Sequence, residues 1–132
     1  MKKEVVVVPD NVYNPTGPIA HAQAVKVGNM VYVAGQAALD RDGNMVGRGD
    51  VDAQIELTFK NLKGVLEAAG SSLENVVQVT HFSTSLEDCL KLRLARTKYL
   101  GTDIASTGVV VKNLGDAERP LLVEINAIAI IN

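Results

Sequence analysis

Tryptophan is absent from this chain, cysteine occurs once, at Cys89, and histidine twice, at His21 and His81; three tyrosines and two phenylalanines are the only other aromatic rings. Each scarcity excludes a class of chemistry. A single cysteine closes no internal disulfide, and two distant histidines with one thiol lack the spacing of a zinc or iron site, so no metal is expected. So few rings leave little for bases to stack on. Lys and Arg number 13 against 15 Asp and Glu, for a net charge of -2. No basic block stands out, so no nucleic-acid partner is expected. No apolar run approaches the ~18 residues that span a bilayer, and the valines at 5–8 are too few for a secretory core segment. A cytoplasmic protein without membrane contact is the expectation. G-x-G-x-x-G, P-loop and G-x-S-x-G motifs are missing as well, which removes support for dinucleotide, nucleotide triphosphate and serine-hydrolase chemistry. No cofactor is expected.

What is present suits one globular domain over residues 1–132: 47% apolar and 21% charged, with no repeat, linker or low-complexity segment. Residues 4–8 are β-branched and stop at Pro9-Asp10-Asn11. Residues 22–27 and 30–39 flank Gly28-Asn29, a hairpin signal because both residues tolerate positive φ. Asp50 as N-cap, the helical spacing of Ile55, Phe59, Leu62, Leu66 and Ala69, and Gly70 at the end predict the first helix. A strand over 76–83 follows. Ser85-Leu86-Glu87-Asp88 then opens a second helix to about residue 100, before Gly101. Residues 109–111 form a short strand, 115–120 a polar turn, and 121–131 a long final strand, giving the order β-ββ-α-β-α-β-β.

That last strand is apolar on both faces. Leu121, Val123, Ile125, Ala127, Ala129 and Ile131 alternate with Leu122, Glu124, Asn126, Ile128 and Ile130. Two helices cover one face of a sheet, so the other needs a second copy of the chain, and a homo-oligomer is expected. Glu124 stands in the uncovered face among apolar neighbours, where loss of water perturbs an acid; it is either a functional carboxylate or half of a structural ion pair. Asn126 points the same way and can serve a ligand or Glu124 itself. His21 opens the second strand, where it is a proton donor or acceptor near neutral pH, or a structural residue. Gly35 interrupts a strand, which marks a bulge or a close approach by a ligand. Ser106-Thr107-Gly108 either presents hydroxyls and N–H groups to an anion or is a plain loop. Cys89 reads as a small core residue, and Lys91, Arg93, Arg96 and Lys98 as a solvated helix face.

Several stretches together resemble the Rid family, also called YjgF and, in older usage, the L-PSP endoribonuclease family. They are Gln23-Ala24-Val25-Lys26-Val27-Gly28-Asn29, Val33-Ala34-Gly35-Gln36, Asn61 to Leu73, and Leu122-Val123-Glu124-Ile125-Asn126-Ala127-Ile128-Ala129. The resemblance implies a chorismate-mutase-like α+β subunit with two helices on one face of a mixed sheet. It also implies a homotrimeric barrel with ligand clefts between subunits. In the enamine/imine deaminase branch an arginine binds the substrate carboxylate, a late glutamate positions the hydrolytic water, and a tyrosine and a strand glycine shape the pocket. Glu124 matches the glutamate and Gly35 the glycine. His21 stands where that branch has its tyrosine, Gly108 where it often has cysteine, Asn126 in place of a second late acid, and Ser106 in place of the arginine. A serine offers one neutral hydrogen bond where arginine offers a charged fork.

The site expected from these residues has Glu124 as its catalytic group and His21, Gly35, Ser106, Thr107, Gly108 and Asn126 as substrate-binding residues. The expected function is hydrolysis of a reactive enamine or imine, or of a chemically related small metabolite, by an arginine-lacking Rid protein, with a carboxylate or an imine as the small-molecule partner. A ligand-binding or chaperone-like trimer is the alternative, and an endoribonuclease is disfavoured by the charge balance.

Overall fold

The hydrophobic stripe of the first helix and the alternating last strand meet in the computed structural model, which describes residues 2–132. Helix α1 (Val51–Ala68) starts at Asp50, whose carboxylate accepts the Ala53 N–H at 3.1 Å. It buries Ile55, Phe59, Leu62, Val65 and Leu66, and full burial of such a side chain stabilises the fold by about 1.5–3 kcal/mol. Gly70, at φ +84°, ends it, and the Ser71 N–H returns to the Leu66 carbonyl at 2.8 Å. Helix α2 (Leu86–Leu100) starts on Ser85, whose hydroxyl oxygen accepts the Asp88 N–H, and ends at Gly101.

Both helices lie on one face of a mixed sheet, an α+β architecture as expected. The sheet contains β1 (Lys3–Val5), β2 (Ala24–Val27), β3 (Met30–Gln36), β4 (Val76–Ser83), β5 (Ala105–Val110) and β8 (Val123–Ile130), in the spatial order β1-β2-β3-β8-β4-β5. Only β4 and β5, joined by the α2 crossover, run parallel. A hairpin of β6 (Leu114–Gly115) and β7 (Pro120–Leu121) stands apart. On β8, Val123, Ile125, Ala127 and Ala129 are buried under the helices, while Glu124, Asn126, Ile128 and Ile130 occupy the open face. Tyr32, opposite Ile128, and Val109, opposite Phe82, extend that apolar face.

Several boundaries differ from the sequence expectation, the second strand among them, which begins at Ala24 instead of Ala22. The first strand stops at Val5 instead of Val8, because its partner β2 begins at Ala24, whose carbonyl takes the Val6 N–H as the last bond of the pair. Strand β3 stops at Gln36 instead of Leu39, and its register against β8 shifts between Val33 and Gln36, so Gly35 lies in an irregular stretch. The final strand breaks at Leu122, whose N–H goes to the Gln54 side chain at 2.8 Å, and Leu121 pairs with Leu114. Ser106, Thr107 and Gly108 are strand, not loop: β5 begins at Ala105 because each residue from 105 to 110 has a partner on β4.

Candidate functional site

The irregular stretch at Gly35 brings β3 against Glu124. A Cβ added to Gly35 would lie 2.5 Å from Glu124 Oε2 and 2.7 Å from its Cδ, so the glutamate side chain lies across the bare backbone. Glu124, Gly35 and His21 line one cavity of about 280 Å³, together with Tyr13, Ile19 and Arg119. Burial raises the Glu124 pKa above the ordinary 4.5, and the nearby His21 charge offsets part of that shift. Among the described residues no cation lies within 4.0 Å of this carboxylate; the three ion pairs are Lys26–Glu4, Lys91–Asp52 and Arg119–Asp116.

His21 Nδ1 lies 2.9 Å from the Ala22 carbonyl. A carbonyl only accepts, so Nδ1 carries the proton and the neutral ring has Nε2 free to take another. The cavity walls are fixed by amides. Gln23 donates to the Tyr13 carbonyl at 2.8 Å, and Gln36 donates to Gln23 Oε1 at 2.8 Å and to the Ala34 carbonyl at 3.1 Å. Asn61 of α1 donates to the carbonyls of Ala37 and Leu39, both at 2.9 Å. A larger hollow of about 560 Å³ lies along Lys112–Ala117 and Pro120–Leu122; the one acid that lines it, Asp116, is bonded to Arg119, which holds its pKa low instead of raising it.

The other expected residues stand elsewhere. Asn126 shares the open face, opposite Thr80, and Thr80 is opposite Thr107, so these three form a polar row across β8, β4 and β5. Ser106 and Gly108 face the opposite way, paired with the buried Val79 and His81. Within one chain β5 is two strand spacings from β8, roughly 10 Å, so Ser106 and Glu124 do not share a cavity. Gly108 has a packing reason instead. A Cβ there would meet His81 Cε1 at 2.5 Å and Cys89 Sγ at 3.3 Å. Burial lowers the His81 pKa, with Arg96 and Arg93 adding to the shift, so two of the arginines read as a solvated face act on a buried ring. Among the described residues no three His, Cys, Asp or Glu side chains are grouped to hold a metal ion.

Tyr13 and Arg119 were not expected at the site. Tyr13 sits in a stretch of turn formers and Arg119 in a polar turn, and neither carries a periodicity that tells which way it points. The chain matches the family model described as Endoribonuclease L-PSP over residues 14–131. It is 36% identical over 130 residues to a RutC family protein of Pyrococcus abyssi, covering 98% of each chain. It is 31% identical over 119 residues to a 2-iminobutanoate/2-iminopropanoate deaminase of Dermatophagoides farinae, covering 89% of this chain and 88% of that protein. The crystal structure of the Rid-family protein YyfA from Yersinia pestis superposes with a TM-score of 0.87 at 27% identity, covering 98% of this chain and all of that one. The family-model match over residues 14–131, the relatives of more than 30% identity along nearly the full length and the superposition lead to one conclusion: this chain belongs to the endoribonuclease L-PSP family, the Rid proteins.

Proposed function

We propose that this protein hydrolyses a small reactive imine or its enamine tautomer, with Glu124 as the catalytic group and no cofactor. The reading is carried by Glu124, a desolvated carboxylate with no cation within 4.0 Å among the described residues, lying in a small cavity beside His21. A carboxylate of raised pKa suits a group that must take a proton and return it near neutral pH. Glu124 accepts a proton from water as the water oxygen bonds to the imine carbon. The resulting carbinolamine expels ammonia when that proton is passed to nitrogen, and an oxo compound remains. Nε2 of His21 can take or supply the second proton. The deaminase named among the relatives supports this choice of substrate.

The cleft is proposed to be completed by neighbouring subunits of a homotrimer. The uncovered apolar face and the charge-free β5 edge support this, because unpaired edges and large apolar faces are normally covered. Ser106 favours a second reading, a binding protein without chemistry, since a hydroxyl grips a carboxylate weakly. Ribonuclease action, the older label of the family, fits poorly with a net charge of -2. The test is ammonia release from 2-iminobutanoate generated in situ by an amino-acid oxidase. Release faster than the spontaneous rate, and returned to that rate by Glu124→Gln, is expected. A wild-type rate equal to the spontaneous one leaves only the binding role.

A further inference from the structure

Arg119 is the one permanently charged cation lining the Glu124 cavity, and the turn that carries it is built around it. Asp116 Oδ1 accepts the N–H groups of Glu118 at 3.0 Å and Arg119 at 2.8 Å, which closes the turn between β6 and β7. Gly115, at φ +70°, lets the hairpin close, since a Cβ there would collide with the Arg119 carbonyl oxygen. The guanidinium is then clamped. Nε and Nη2 donate to Asp116 Oδ2 at 3.2 and 2.9 Å, and Nη1 donates to the Gly43 carbonyl at 3.0 Å. Gly43 in turn lies against the Tyr13 ring, where a Cβ would sit 2.6 Å from Cε1. Three of the five guanidinium N–H groups are thus engaged. The Tyr13 side chain is a further hydrogen-bond partner of the guanidinium, which sits on a side chain that is 31% exposed.

We propose that Arg119 receives the carboxylate of the cavity's ligand, so that the β6–β7 turn supplies the charged fork that Ser106 does not. The inference rests on the proposed function and deepens it by naming the residue that selects a short 2-imino or 2-oxo acid. With its carboxylate held at Arg119, its second carbon faces Glu124 and His21. Two parallel N–H bonds to a carboxylate select it over a neutral amide of the same shape. Asp116 competes for the same guanidinium, so removing its charge strengthens the grip.

The test is calorimetric titration of the whole protein with 2-oxobutanoate and with its neutral counterpart 2-oxobutanamide. Wild type should prefer the acid, and Arg119→Gln should bind it about tenfold or more weakly with the amide unaffected. Asp116→Asn, whose amide oxygen still accepts the turn N–H groups, should bind the acid more tightly. Lys112→Gln, a nearby exposed cation outside the cavity, should change nothing. Undiminished acid affinity in Arg119→Gln, no preference for the acid in wild type, or weakened binding in Asp116→Asn overturns the inference. If Arg119→Gln does not fold, the Asp116→Asn result decides. Accelerated imine hydrolysis with an unimportant Arg119 rejects only this assignment. No acceleration in wild type rejects the hydrolase reading itself.

Discussion

A methyl group at Gly35 would reach into the Glu124 carboxylate, so the smallest residue on β3 is what lets the acid lie flat in its cavity. Glu124 itself should be tested through stability. Its pKa is raised in the folded state, so the ionised form weighs against folding at any pH above the ordinary value of 4.5, and the penalty disappears as the group protonates below it. Glu124→Gln should therefore melt no lower than wild type at pH 7, and any advantage should vanish by pH 4. A loss of about 3–5 kcal/mol at pH 7 would instead identify a buried ion pair with a neighbouring subunit. Glu124 was legible in the sequence because a charge in a doubly apolar strand stands out. Arg119, Tyr13, Gln23 and Gln36 did not stand out, because loops meet only when the sheet assembles and no local period encodes that meeting.

Among the elements, β5 shows how tertiary pairing overrides composition. Ser106-Thr107-Gly108 has weak strand propensity and reads as a loop, yet β4 offers it a continuous parallel ladder. The helices and the hairpin at Gly28-Asn29 were legible because caps, spacing and turn residues agree within a short window. Gly108 holds β5 close to α2 over the buried His81 ring. Gly108→Ala should cost about 1–3 kcal/mol by overpacking, read as a lowered denaturation midpoint. The double variant with His81→Ala should lose less than the sum of the two single losses, since the smaller side chain vacates the space. Additive losses would show that the ring is not the obstacle.

For the whole molecule, the decisive feature is a sheet with helices on one side only. Val5, Tyr32, Val77 and Val109 all remain more than a third exposed on a single chain, and every residue of β5 is exposed. Light scattering at micromolar concentration should give the mass of three chains, and a monomer there would sink any cleft shared between subunits. The open apolar face was legible from the alternation along the final strand, whereas the expectation of three copies rests on the family resemblance alone. The strand order carries one more consequence. β8 follows the other described strands in sequence, yet it lies between β3 and β4 and bonds to both. Until residues 123–130 are in place, β3 has only β2 beside it and β4 only β5, and each keeps one edge unpaired. The same strand therefore joins the two halves of the sheet and brings Glu124 beside Gly35, so a chain that stops short of residue 123 holds His21 and Gly35 without the carboxylate.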